Sequence, residues 1–300
     1  MVRVNSPFGE MTTYRTGGRA SAMVTVSTLA ELDALASAIR AIGPVNTFVL
    51  GNGSNTLVSD AGFDGLVIKL ESSAATPVVH DSKVTVGGGD SLPVVSRKLA
   101  AAGLTGFEWA VGVPGTVGGA ARMNAGGHGS DFAATFSAAV LLDLDDGQMS
   151  ERGKFAMEFG YRHSSVRSNE LIWQVQMVLS PGSAEDSAEK IAEIVRWRRI
   201  HQPGGQNAGS VFRNPEGLSA GRLVEEAGLK GLANSSAAVS EKHANFIQAT
   251  KYGSSEDVLA LMVQIREQVL HVTGIRLQSE VVLIGFSGEH YEKWLNGCEA

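Results

Sequence analysis

The chain has 300 residues, 43% of them hydrophobic, enough to fill one large core or two or three smaller ones. A formal net charge of −6 and a pI near 5.7 argue against a nucleic-acid surface, although a local basic pocket for a small anion stays open. The single cysteine, Cys298, excludes an intramolecular disulfide framework and a cysteine-built zinc site, and seven histidines without i,i+4 spacing give no metal motif, so no metal is expected.

In chain order, Met1–Glu10 carries no apolar core of signal-peptide length, and nowhere do eighteen apolar residues run together. The expectation is a cytoplasmic protein with no membrane insertion. Ala22–Val26 reads as a strand. Thr28-Leu-Ala-Glu31 is a capping box, and Leu32, Leu35, Ala36 and Ile39 continue a helix that Gly43-Pro44 ends. Strands are predicted at Thr47–Leu50, Gly65–Leu70, Pro77–Asp81, Lys83–Val86, Ala138–Asp143 and Glu170–Leu179, with a helix over Ser91–Ala102. Grouped strands with only two helices among them suggest α+β packing. The polar run Ser180–Ser187 marks a domain boundary, and a charged helix follows over about Ala184–Ile200. Beyond it come a glycine-containing loop (His201–Ser210), a helix near Ser219–Ala227, a strand at Asn245–Ala249, a helix at Ser255–Val272 and a last strand at Ser279–Ile284.

Three glycine clusters interrupt this pattern. Val111–Gly129 holds seven glycines in nineteen residues, which strips side chains from a continuous length of backbone and suits N–H groups converging on a diphosphate or a planar ring. A flexible loop is the plainer reading, but apolar residues rather than Ser and charge alternate with these glycines. Gly51-Asn-Gly-Ser-Asn55 follows the strand Thr47–Leu50 and can form a nest for an anion. It is not a dinucleotide fingerprint: Thr56 stands at the third glycine position, and Gly62, Asp64 and Gly65 leave no room for the helix that motif needs. Gly87-Gly-Gly-Asp90 reads equally well as a tight turn or a cofactor contact.

Three polar residues stand among apolar or glycine neighbours: Arg162 after Phe159-Gly-Tyr, Ser210 after Asn207-Ala-Gly, and Glu280 at the start of an apolar strand. Singly they also read as a solvated loop cation, a turn or helix-cap serine and a solvated edge glutamate. No Gly-x-Ser-x-Gly elbow or Gly-Lys-Ser/Thr phosphate loop accompanies them.

Taken in order, Thr13-Tyr-Arg-Thr-Gly-Gly18, Leu50-Gly-Asn-Gly-Ser-Asn55, Gly112-Val-Pro-Gly-Thr-Val-Gly-Gly-Ala120, Met123-Asn-Ala-Gly126, Tyr161-Arg162, Ala208-Gly-Ser-Val-Phe212, Lys242-His-Ala-Asn-Phe246 and Glu280-Val281 resemble the UDP-N-acetylenolpyruvoylglucosamine reductase family across almost the whole chain. The resemblance implies an FAD-binding half, residues 1–180, of the vanillyl-alcohol-oxidase type, with two subdomains divided near residue 72. It further implies a substrate-binding domain over 181–290 and a tail over 291–300. NADPH would reduce a non-covalently held FAD and leave. The small-molecule UDP-sugar enolpyruvyl ether would then be reduced to UDP-N-acetylmuramate, a step of peptidoglycan synthesis on which cell wall, cell shape and cell division depend. Flavin contacts fall on Gly51, Asn52, Gly53, Ser54, Asn55, Pro114, Gly115, Thr116, Gly118, Gly119, Asn124 and Gly126. Arg162 and Glu280 match the positions that stabilise an aci-carboxylate, Glu280 through a protonated or shared-proton form, and Ser210 matches the proton donor. Substrate contacts fall on Arg199, Arg213, Asn214 and Lys242, with Lys230 and His243 in the same segments. Arg213 stands where the family often has lysine, Ala233-Asn-Ser-Ser-Ala237 departs from a common Gly-Gly-Ala, and Thr250 replaces a frequent asparagine. The chain resembles the shorter form, without the insertion whose tyrosine closes over substrate. A flavin oxidase of small alcohols would share the flavin half without needing Ser210 and Glu280, and a non-catalytic flavin binder would be expected to lack one of the three polar groups.

Overall fold

A computed structural model describes residues 2–72 and 77–296. Cys298 lies outside them. In chain order the elements are β1 (Val2–Pro7), β2 (Arg19–Val26), α1 (Leu29–Ile42), β3 (Thr47–Leu50), β4 (Thr56–Val58), β5 (Phe63–Leu70), β6 (Val78–His80), β7 (Lys83–Gly87), α2 (Leu92–Ala101) and β8 (Leu104–Thr105). Then come α3 (Val117–Arg122), β9 (Gly126–Gly127), β10 (Ser130–Asp131), β11 (Phe136–Asp143), β12 (Met149–Gly153), β13 (Glu170–Val178), β14 (Ser180–Pro181) and α4 (Ala184–His201). The last are α5 (Ala220–Glu226), β15 (Ala237–Val239), β16 (Ile247–Ala249), α6 (Ser255–Thr273), β17 (Val282–Ile284) and α7 (Glu289–Asn296). The fold is α+β, as the grouped strands predict.

The chain forms two compact units, both discontinuous in sequence. The first consists chiefly of Ala22–Asn52 and Gly65–Arg198, and the second of Val4–Ser21, Gly53–Asp64 and the chain from Arg199 onward.

The centre of the first unit is an antiparallel sheet of order β12-β11-β13-β7-β6. Strand β11 and the start of β13 are apolar almost continuously because both faces are covered there. Leu142 and Leu171 face the core under α1, whereas their neighbours Leu141 and Ile172 face the core under α2. The capping box that starts α1 is formed in full: Thr28 Oγ1 accepts from Glu31 N at 3.2 Å, and the Glu31 carboxylate accepts from Thr28 N at 3.1 Å. Leu32, Leu35, Ala36 and Ile39 then bury one stripe, as their spacing requires. Beside them β3 and β5 pair in parallel, Thr47 opposite Leu66 and Leu50 opposite Lys69. The second core fills with α2 and a chain of edge-on aromatic rings, Phe107 lying 5.5 Å from Trp109 and 5.9 Å from Phe132.

In the second unit the core gathers on α6, whose Val258, Leu261, Met262, Ile265 and Val269 are all buried, as the sequence spacing predicts. The antiparallel pair β15–β16 and the parallel pair β4–β17 complete it. Tyr14 of the Thr13–Gly18 motif is fully buried in this core, and burial pushes its hydroxyl pKa far up. The neighbouring Thr16 hydroxyl shares a hydrogen bond of 2.7 Å with Ser255 at the start of α6.

Several elements depart from the sequence expectation. The stretch Val111–Gly129 contains a helix, α3, despite two glycines. Thr116 Oγ1 caps it by accepting from Gly119 N, and Val117, Ala120 and Ala121 are buried beneath it. Strands β1, β12 and β15 have no clear alternation and were not predicted. The expected tail over 291–300 is helical as far as Asn296. Trp294 is buried, and the Arg266 guanidinium lies 4.0 Å from its ring while donating to Trp294 O at 2.7 Å and to Lys293 O at 3.0 Å. Gly87-Gly-Gly-Asp90 is a turn: Gly87 N donates to the Asp90 carboxylate at 2.9 Å, and a Cβ on Gly88 would meet Ile172 O at 2.0 Å.

Candidate active site

In the first unit the ends of β3 and β7 and the start of α3 converge. Asn52 Nδ2 donates to Gly115 O at 3.1 Å, joining the loop after β3 to the Pro114–Thr116 turn. Val117 N donates to Asp90 O at 2.9 Å and Gly118 N to Gly88 O at 2.8 Å, fastening α3 to the turn after β7. Between these loops lies a small recess of about 50 Å³, lined by Gly51, Gly88, Gly118 and Gly119 over an apolar floor that includes Leu50 and Ile172. A Cβ on Gly51, Gly88 or Gly118 would strike the chain itself, Thr116 Oγ1 at 2.5 Å, Ile172 O at 2.0 Å and Gly88 O at 3.0 Å, so these glycines let the loops close on one another. The amides of Val117, Gly118 and Gly119 are already bonded within the chain, so the first turn of α3 is a wall of the recess rather than a set of converging donors.

Two charged residues complete this recess. Arg122 donates to Arg167 O at 2.7 Å, and burial lowers its pKa against the supporting charge of Glu170. Burial by itself raises the Glu170 carboxyl. The Arg152 fork at 2.6 and 3.2 Å and the main-chain and side-chain donors of Arg167 outweigh it and hold the group at about 2.

Arg162 sits in the tight turn Gly160–His163 with a left-handed φ of 53°, and its Nη2 donates to Gly126 O at 3.1 Å. The turn is tied down by Asn124, a buried residue. Its amide donates to Gly160 O at 2.8 Å and Asp131 Oδ2 at 3.1 Å, while its oxygen accepts from Ala133 N at 2.9 Å. The Asn124 side chain is thus committed to the chain, and its contribution is to hold the turn that carries Arg162.

In the second unit, Ser210 and Glu280 lie on adjoining extended segments. Glu280 N donates to Val211 O at 2.8 Å, Arg213 N donates to Gln278 O at 2.9 Å, and Phe212 is bridged antiparallel to Ser279. Gly209, at φ 75°, turns the chain immediately before Ser210. Two asparagines pin this pair of segments. Asn55 Nδ2 donates to Glu280 O at 2.9 Å, and Asn55 O accepts from Val282 N at 3.0 Å. Asn245 fastens the other side: its main-chain oxygen accepts from Val211 N at 2.8 Å, its Oδ1 from Phe212 N at 3.0 Å, and its Nδ2 donates to Phe212 O at 2.8 Å. Asn245 was not anticipated from sequence, where the charged residues of Lys242–Phe246 drew attention. Asn55, expected as a flavin contact, also joins its amide to the backbone of Glu280.

Of the expected substrate contacts, Asn214 accepts at Oδ1 from Ala220 N at 3.0 Å, holding the start of α5. Lys242 is exposed and its Nζ donates to Arg199 O at 2.6 Å. The Arg213 Nε is buried and unbonded within the chain, whereas Lys230 pairs with Glu225 at 2.8 Å. Burial lowers the pKa of His243, whose Nδ1 accepts from Asn245 N at 3.2 Å.

Residues 201–284 match the family described as UDP-N-acetylenolpyruvoylglucosamine reductase, C-terminal domain. Residues 20–151 match an FAD binding domain. The UDP-N-acetylenolpyruvoylglucosamine reductase of Heliobacterium modesticaldum is 41% identical over 285 residues, covering 94% of this chain and 90% of that protein. The chain belongs to the UDP-N-acetylenolpyruvoylglucosamine reductase family. A reductase of that name from Anoxybacillus flavithermus is 36% identical over 289 residues, covering 95% of this chain and 94% of its own length. The crystal structure of the reductase from Thermus caldophilus superposes with a TM-score of 0.79 at 33% identity, covering 95% of this chain and 98% of that one.

Membership in the reductase family implies FAD, and the recess in the first unit has one glycine, Gly119, that leaves room for a group the chain does not supply. A Cβ on Gly119 would meet only the Thr116 hydroxyl, at 3.3 Å, and would otherwise occupy open space. A floor of aliphatic side chains with glycine walls is suited to a planar ring. Among the described residues no group of histidine, cysteine or carboxylate could hold a metal ion, and no helix is long and apolar enough to cross a membrane.

Proposed function

We propose that the chain catalyses the NADPH-dependent, FAD-mediated reduction of UDP-N-acetylglucosamine enolpyruvate to UDP-N-acetylmuramate for peptidoglycan synthesis in the cytoplasm. Residues 1–180 would hold FAD, chiefly through Gly51–Asn55, Pro114–Thr116, Gly118, Gly119 and Gly126. Residues 181–290 would hold the nucleotide sugar through Arg199, Arg213, Asn214 and Lys242. FAD held by residues 1–180 would supply the hydride that the terminal carbon of the enolpyruvyl group receives.

The protein's own residues manage the charge that follows. Hydride arrival at one carbon pushes an electron pair toward the carboxylate, and the Arg162 guanidinium and the Glu280 carboxyl stabilise that aci-carboxylate. Ser210 Oγ gives its proton to the other carbon, whose electron pair forms the new C–H bond, and the serine oxygen regains a proton from water. An alkoxide is a poor leaving state, so Ser210 must be held where the receiving carbon arrives. The observation that carries this reading is the paired placement of Ser210 and Glu280 through the Val211–Glu280 backbone bond.

The test is anaerobic stopped-flow absorbance of the holoenzyme, reduced with NADPH and then mixed with UDP-N-acetylglucosamine enolpyruvate. Rapid return of the oxidised-flavin band supports the reading. A flavin that bleaches with NADPH and ignores the enolpyruvate overturns the substrate assignment, and rapid peroxide release in air would identify an oxidase instead.

A further inference from the structure

We propose that Asn245 is a positioning residue for Ser210, a role that rests on the reading of Ser210 as the proton donor. A serine has a single rotatable bond before its hydroxyl, so the backbone of residues 209–211 sets where Oγ can reach. On one side of Ser210 the chain turns through Gly209, at φ 75°, whose N–H donates to Asn207 Oδ1 at 3.0 Å. On the other side Asn245 supplies three hydrogen bonds. Its main-chain oxygen takes the N–H of Val211, and its side-chain amide both accepts from and donates to the main chain of Phe212. The side chain therefore satisfies Phe212 as a neighbouring strand would, at a point where no strand runs.

The amide is buried and its two working atoms are both used, so neither can be exchanged for water without loss. The same clamp reaches the second polar group, because Val211 accepts from Glu280 N at 2.8 Å. A shift of the Ser210–Phe212 segment thus moves Glu280 with it. Asn245 touches no reacting atom in this scheme. It fixes the segment from which the Oγ–H bond breaks as the C–H bond forms, and a displacement of about 1 Å there is enough to cost on the order of 100-fold in rate.

The experiment uses the holoenzymes of Asn245→Asp, Asn245→Ala, Ser210→Ala and the two double variants. Asn245→Asp keeps the acceptor for Phe212 N and loses the donor to Phe212 O, so it tests the clamp if Asn245→Ala does not fold. Flavin reoxidation by the enolpyruvyl substrate is expected to slow on the order of 100-fold in Asn245→Ala and less in Asn245→Asp, with reduction by NADPH within about twofold of the parent. In the Ser210→Ala background, either Asn245 substitution is expected to add no more than about threefold, the non-additivity of groups acting as one. Independently of turnover, hydrogen exchange at the Phe212 amide should accelerate in Asn245→Ala, which removes its acceptor, and not in Asn245→Asp, which keeps it.

Losses that multiply in the double variants, or that fall equally on both half-reactions, or a Phe212 amide that exchanges no faster in Asn245→Ala, would overturn the positioning role while leaving Ser210 as donor. An unimpaired Ser210→Ala enzyme would overturn the donor reading, and the positioning role with it.

Discussion

Ser210 is a group whose chemistry depends on its placement, and its removal should show in one half of the reaction only. Ser210→Ala is expected to slow reoxidation of the flavin by substrate by roughly 100-fold to 10,000-fold, the usual contribution of a positioned proton donor, with reduction by NADPH unchanged. Stopped-flow traces of the two half-reactions decide it. Gly119 makes the opposite kind of prediction. An alanine there favours the helix by up to about 1 kcal/mol, yet its methyl would enter the recess. Gly119→Ala should keep or raise the melting temperature of the apoprotein and lower FAD affinity, measured by flavin fluorescence on titration; unchanged affinity would remove this recess from the flavin site. Arg162, Ser210 and Glu280 stand out in sequence because each interrupts apolar or glycine surroundings, and it is the resemblance that gives them proposed roles. Asn124 and Asn245 were not legible as clamps, because an amide bonding to a distant main chain leaves no periodic trace.

At the scale of elements, legibility followed capping and periodicity. Helix α1 carries both, and Thr28→Ala is expected to cost about 1 kcal/mol of stability in denaturant unfolding, with Thr28→Ser nearly neutral. Helix α6 was equally plain, with Ser254 accepting from the N–H groups of Glu256 and Asp257 before a buried stripe. Helix α3 escaped notice because two of its six residues are glycine, so packing and the Thr116 cap decide its conformation rather than propensity. Helix α7 is short and highly charged, and it docks through Trp294, which stacks on Arg266 and packs beside Phe212 in the core. The two central strands β11 and β13 read as strands but could not show that both faces are buried, which required knowing where α1 and α2 lie.

At the scale of the whole molecule, two buried carboxylates couple stability to acid. Burial raises the Glu108 carboxyl, and donors from Thr105, Ser187 and Gly106 outweigh it, bringing the group to about 2, as Arg152 and Arg167 do for Glu170. Both folded values lie below the usual glutamate value of about 4.5, so each contribution is complete above that pH and is lost as pH falls toward 2. Melting temperature should therefore drop steeply across this window, and Glu108→Gln or Glu170→Gln should flatten the drop while lowering the melting temperature near neutrality. A profile with the same slope in both variants would remove these two groups as its cause.

The discontinuity of the second unit could not be read from local pattern, since its pairings join distant stretches; Asn55 and Glu280 are 225 positions apart. That separation also orders events during synthesis. At ribosomal rates of roughly 5 to 20 residues per second, Val4–Ser21 and Gly53–Asp64 would wait on the order of 10 to 45 s for the segments they pack with, while the segments of the first unit between and after them are already complete. Tyr14 and Leu57, both fully buried in the finished core, spend that interval uncovered. A nascent chain halted before α6 should consequently be protease-sensitive at its beginning and resistant in its middle, and overproduction without chaperones should lose protein from the amino-terminal end inward.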